Sequence, residues 1–329
     1  MNVIVIGKPR IDVTEIVDNF PLEGKDKKIT KRIISNGGIS VYVACMLAKW
    51  GINVYYSGVV GGEEEGIKLK SKLEEYHIDT KFVEVNYETK TNKNYSVLNE
   101  SNGTRTNIIF DNEQFLTKHK FDFDPDYIIV DGTDMAAMDT ASRNDMYEKA
   151  KMIMLANVVS KEYYNLSKRC AYIVASENFA SALTKIAINY NKSKTLVDVM
   201  QKIQDLENAK YTLNLLNHGT LYVKDRQVKY IPKIEVKPVD NLMMEAAFLG
   251  AFCYGIISDL DMDVIGKICN MACYKASEKL GTIDNILDKQ EIFDACSIKV
   301  DTKPETMETT ESKQVEESNN NANTEASNV

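Results

Sequence analysis

The sequence predicts an α/β protein, a three-layer domain whose mainly parallel sheet lies between two layers of helices. Three observations carry that expectation. The chain opens directly on a strand-like apolar run, Asn2 to Ile6, closed by Gly7. Strand-like and helix-like stretches then alternate along the chain, the pattern of βα units building a parallel sheet. Late in the chain, Ala246 to Ile257 runs without a charge and carries Gly and Ala along its length. That run is too short to span a membrane, so its place is a helix buried on all sides. At 329 residues, 44% hydrophobic and 27% charged, the chain has enough apolar surface for one large core.

Taken in order, Val13 to Val17 and Lys28 to Ile34 alternate as strands, with Asp18 to Gly24 turning between them. Asn36-Gly37-Gly38 then leads into a helix, Ile39 to Trp50, closed by Gly51. Ile52 to Ser57 is the next strand, Gly58 to Gly66 a loop, and Ile67 to Tyr76 a helix whose end holds His77, a solvent-facing residue rather than a catalytic one. Asn94–Asn99 and Arg105–Phe110 are joined through Asn102-Gly103, a turn signal. Strands follow at Tyr127–Val130, Lys151–Leu155, Tyr172–Ala175 and Tyr211–Asn214. Leu221–Val223 and Val228–Ile231 form a hairpin through Asp225 to Gln227, and Asp263 to Leu280 reads as a helix. Asp240 and Asn241 stand just before the buried helix, where a cap is expected.

Two stretches resemble signatures of the PfkB/ribokinase family of carbohydrate kinases. Gly37, Gly38, Ala44, Leu47, Ala48 and Gly51 match its pattern G-G-x-x-x-N-x-A-x-x-L-A-x-L-G. Asp240 and Phe248 match the two ends of D-T-x-G-A-G-D-x-F at the right spacing. Weaker matches are Gly58 to Gly66, with Glu63 in place of an Asp, and Gly103-Thr104-Arg105-Thr106. The resemblance implies a ribokinase-like α/β/α domain over residues 1–300, with a small β-sheet lid built from about 13–34 and 89–110. It implies that Asp12, five residues after Gly7, holds sugar hydroxyls, for which a carboxylate offers several acceptor sites. It also implies that Gly37 and Gly38 bring backbone N–H groups close to a ligand.

The departures fall on the chemistry. Met243, Met244 and Glu245 stand where the family has Gly-Ala-Gly, the backbone hole for the transferring phosphate. Ala246 stands at the position of the proton-accepting Asp, with Glu245 next to it as a possible substitute. Tyr42 replaces a sugar-contacting Asn, so the resemblance places it among the substrate-binding positions, where its ring would fill volume and recognise something else or close the pocket; Phe179 and Ser176 replace the Glu and Asn of N-x-x-E; and Asn214 to Gly219 keeps only Gly219 of T-x-G-x-x-G. The expectation is a pseudokinase with a ligand-binding or regulatory role. The alternative is an active ATP- and Mg-dependent sugar or nucleoside kinase with a rearranged site. No cofactor or metal site follows from the residues themselves. A sugar-like or nucleoside-like ligand, a protein partner, or a homodimer formed through the lid is the expected partner.

Composition narrows the setting. A net charge of −8 without a basic run argues against a nucleic-acid surface. No apolar run reaches membrane length and the first residues lack a signal-peptide layout, so a cytoplasmic location is expected. The six cysteines form no C-x-x-C pair and read as small core residues. From Asp301 to Val329 the chain is rich in Glu, Ser, Thr and Asn, a composition that predicts a disordered tail.

Overall fold

The computed structural model describes residues 1–111, 121–134, 149–299 and 305–306. Strand β1 (Val3–Ile6) sits inside the main sheet, flanked in parallel by β4 (Val54–Gly61) on one side and β8 (Tyr127–Val130) on the other. Beyond β4 lies β5 (Asp79–Asn86); beyond β8 come β9 (Lys151–Ala156), β10 (Tyr172–Ser176) and β11 (Lys210–Asn214), all parallel. The antiparallel strands β12 (Thr220–Lys224) and β13 (Gln227–Ile231) extend that edge. The chain leaves β1 toward both sides of the sheet, which makes the carboxyl end of β1 a topological switch point, where doubly wound folds bind ligands.

Alternation along β1 builds the layers. Val3 and Val5 point into one apolar cluster with helices α1 (Ile39–Lys49), α2 (Glu64–Glu75), α6 (Met244–Ile257) and α7 (Met262–Ser277). Ile4 and Ile6 point into the other, with α3 (Lys161–Ser167), α4 (Glu177–Thr184) and α5 (Ser193–Leu206). The final helix, α8 (Lys289–Lys299), packs on the first layer through Ile292.

Helix α6 is the buried helix the sequence predicts, lying between α1 and α7. Its glycines permit the close approach: a Cβ on Gly250 would come within 2.7 Å of Met46 Sδ on α1, and one on Gly255 within 2.6 Å of Ile265 Cγ1 on α7. Phe248 and Phe252, both fully buried, stabilise this layer by roughly 1.5–3 kcal/mol each. The expected helix cap is corrected by the structure. The helix starts at Met244, no side chain caps it, and Asp240 instead binds an arginine. A buried carboxylate gains more from a guanidinium than from a lone backbone N–H.

A second, four-stranded sheet has the order β3–β2–β6–β7, from β2 (Arg10–Val17), β3 (Lys31–Gly37), β6 (Asn92–Asn99) and β7 (Thr104–Phe110). It is the expected lid. Strand β3 begins later than expected and runs on through Asn36 and Gly37, because these pair with Ile11 and Arg10 of β2. The β12–β13 hairpin turns on Asp225 and Arg226, both with positive φ (50° and 64°), the geometry whose twist suits a two-residue hairpin. Of the expected tail, Glu305–Thr306 pairs with Lys229 and Tyr230 at the sheet edge as β14; the rest lies outside the described residues.

Candidate functional site

The lid has two chemically different faces, set by strand alternation and by register. Arg10, Asp12 and Thr14 of β2 share a face with Asn94 and Ser96 of β6 and with Arg105 and Asn107 of β7. This inner face is polar and buried: Asp12, Thr14, Asn94 and Ser96 are all 4% exposed or less. The outer face carries the row Ile34, Val13, Tyr95, Ile108 straight across the four strands, with Ile108 68% exposed.

On the inner face, Asp12 Oδ1 accepts from Arg10 Nε at 2.9 Å and from Asn94 Nδ2 at 2.9 Å. Asn94 Nδ2 gives its other hydrogen to Ser96 Oγ, which donates to Asn107 Oδ1. Asp12 Oδ2 and Asn94 Oδ1 are buried without a partner among the described residues. Asp12 Oδ2 lies so close to Gly37 that a Cβ there would overlap it. Gly38, with φ 110°, brings the chain into α1 by a conformation that favours glycine. The first turn of α1 is closed from outside the helix: Ser40 N–H donates to Asp131 Oδ2 at 2.9 Å. Asp131 follows β8, and its other oxygen accepts from Thr133 N–H.

Tyr42 stands elsewhere. It is buried in the first apolar cluster, its hydroxyl beside the backbone of Leu287, and burial pushes its pKa up. The side chain that replaces the family Asn therefore fills core volume.

The start of α6 holds the remaining expected residues. Met243 and Met244 are buried in the first cluster, and Ala246 is 0% exposed. Glu245 accepts from Asn157 Nδ2 at 3.2 Å, at the end of β9, and burial raises its pKa against the lowering effect of that bond. Upstream, Asp240 is held by Arg105 through two nitrogens and accepts from the backbone N–H of Leu242 (3.0 Å) and Gly281 (2.8 Å). Arg105 Nη1 donates to Thr14 at 2.8 Å, and Asn241 N–H to Gly103 O at 3.2 Å. The lid hairpin is thereby fastened to the approach of α6. A cavity of about 250 Å³ remains there, bordered by Gly103, Asn217, Asn241, Met244 and Tyr274.

At the ends of β10 and β11, Ser176 caps α4 through Phe179 N–H, Phe179 is wholly buried, and Glu177 accepts from Tyr190. Tyr190 stacks on His218 with ring centroids 3.6 Å apart. Among the described residues no group of three or more His, Cys, Asp or Glu side chains could hold a metal ion. Five of the six cysteines are buried, and the sixth, Cys296, is half-buried; all are free, and burial raises their thiol pKa values, which leaves them unreactive.

Arg10, Asn94 and Asn157 are site residues that motif reading passes over, whereas Asp131 stands where the resemblance puts a pocket-lining serine or glycine. Arg10 carries a signal in the sequence, since it lies two residues before Asp12 on an alternating strand. Asn94 and Asn157 reach the site only through sheet register and layer packing.

A profile of the pfkB family of carbohydrate kinases matches residues 1–289. Ribokinase from Thermotoga maritima superposes with a TM-score of 0.72 at 19% identity, covering 90% of this chain and 99% of the other. Ribokinase from Cryptococcus neoformans, solved with ADP, gives 0.74 at 16% identity, covering 89% and 99%. A nucleoside kinase from Methanocaldococcus jannaschii gives 0.73 at 14% identity, covering 90% and 98%. These likenesses show a shared fold. No curated protein matches the sequence significantly.

Proposed function

Starting from the fact that this chain belongs to the pfkB family of carbohydrate kinases, we propose that it is a pseudokinase, binding a small sugar-like or nucleoside-like ligand under its lid without phosphorylating it. One observation carries the reading: the position of the family's proton acceptor is Ala246, a methyl group with no exposure at all. A hydroxyl attacking a phosphoryl group needs its proton taken up, and losing that general base costs about 10²–10⁴-fold in rate. The neighbourhood supports the same reading. Met243 and Met244 close the helix start with buried side chains, and Glu245 brings a carboxylate to a place that phosphoryl transfer keeps for an anion. Phe179, wholly buried, offers no carboxylate where N-x-x-E has its acid.

ATP and Mg²⁺ belong to this protein only under the second reading, which one observation favours. Glu245 is a carboxyl whose pKa is raised by burial, the usual preparation of a general base. The test is ADP release by the full chain with ATP, Mg²⁺ and a panel of sugars and nucleosides. The expected result is background turnover, unchanged in Ala246→Asp, because an added carboxylate at a fully buried position beside Glu245 repels the phosphate further. Sugar-dependent turnover that disappears in Glu245→Gln would establish the kinase and make Glu245 its base.

A cytoplasmic setting is part of the proposal; the structure has no helix among its described residues long and apolar enough to cross a membrane. So is a homodimer through the lid, supported by the exposed outer row Ile34, Tyr95 and Ile108. Sedimentation of Ile108→Glu beside the parent chain checks it, with a shift to monomer expected.

A further inference from the structure

Resting on ligand binding under the lid, we infer that the ligand is an anionic polyol, carrying a carboxylate or a phosphate as well as hydroxyls. The inner face of the lid specifies both halves. Asn94 has its amide orientation set by its neighbours: both Nδ2 hydrogens are used, on Asp12 Oδ1 and Ser96 Oγ, and Ser96 spends its own hydrogen on Asn107. Turning the amide over would set its oxygen against the Asp12 carboxylate. Asn94 Oδ1 is therefore an acceptor and nothing else. Asp12 Oδ2 is a second acceptor, and both atoms are buried without a donor among the described residues. A ligand that satisfies them must present hydrogen-bond donors, which hydroxyls do.

The third group has the opposite character. Arg10 uses Nε on Asp12 Oδ1, and its two terminal nitrogens make no hydrogen bond among the described residues. Its strand position puts it on the same face as Asp12 and next to Gly37, with which it pairs in the sheet. The Arg10 side chain is one-fifth exposed, so a ligand at the open side of this face can reach it. An arginine fork with its two terminal donors open is suited to bidentate binding of a carboxylate or phosphate. A neutral sugar would leave those donors without an anionic partner. Lys8 does not take this role, because Asp111 engages it through both carboxylate oxygens at 3.0 Å.

The test compares three probes of one carbon skeleton: glucose, gluconate and glucose 6-phosphate. Their binding to the full chain is measured by calorimetry at low and high salt. At least one of the two anions is expected to bind about 10- to 100-fold more tightly than glucose, the range of a charge-assisted hydrogen bond. Gluconate against the phosphate ester tells which anion the fork takes. Arg10→Gln should bring the anion down to the affinity of glucose, while Arg10→Lys keeps part of the preference as a point charge. The wild-type comparison stands even where a variant fails to fold. Glucose binding as tightly as both anions, or Arg10→Gln binding the anion at the wild-type level, overturns the inference and leaves ligand binding intact. Failure of all three probes to bind at millimolar concentration overturns both.

Discussion

Replacing Arg105 with methionine should cost this protein a large part of its stability. The guanidinium reaches from the lid to Asp240 through Nε and one Nη, and gives its other terminal nitrogen to Thr14. Both partners are buried, with side-chain exposures of 3% and 0%. Without Arg105, Asp240 keeps only the backbone N–H groups of Leu242 and Gly281, two neutral donors for a buried negative charge. Breaking a buried pair from one side costs about 3–5 kcal/mol, mostly through the charge left behind. A domain of roughly 290 residues has an unfolding entropy near 0.6 kcal/mol/K at its midpoint, so Tm should fall by roughly 5–8 °C. Thermal unfolding followed by circular dichroism reads this directly. The double variant Arg105→Met/Asp240→Asn, which removes the charge as well, should recover most of the loss. A single-variant shift below about 1 °C, or a double variant no better than the single one, refutes the reasoning.

Three further outcomes follow from the same geometry. Glu245 has its folded pKa raised by burial, so it binds its proton more tightly folded than unfolded; its contribution is most favourable below the ordinary carboxylate range and fades as pH rises through the raised value. In urea unfolding from pH 4 to 8, Glu245→Gln should gain stability relative to the parent as pH rises, with the two converging at the acid end. Gly37→Ala sets a methyl on Asp12 Oδ2, and calorimetry should show ligand binding lost, with a lowered Tm. Tyr42→Asn, although it restores the family residue, should destabilise by about 3–5 kcal/mol and leave sugar affinity unimproved, because it empties core volume beside Leu287.

Much of the fold is legible in the residues. Alternation along Asn2–Ile6 and the uncharged run Ala246–Ile257 are local patterns, and local patterns determine which elements form and how deeply they are buried. The in-frame glycines at 37 and 38 are equally local. The side chain at 246 is legible for a related reason, since a methyl group cannot take a proton in any fold. What a side chain faces is another matter. Asp240 looks like a helix cap in sequence and is the anchor of Arg105 instead, 135 residues away along the chain. Tyr42 looks like a ligand contact and packs against Leu287. Asn94 has no motif at all, and lies beside Asp12 because β2 pairs in parallel with β6 at the register Asp12–Asn94. Strand pairing and layer packing join residues whose separation in sequence carries no signal, and they set which polar atoms are buried with a partner and which without. Local pattern thus settles the architecture and the side chain at 246, whereas the groups that converge on the lid's inner face are settled by burial and register, which are properties of the packed chain.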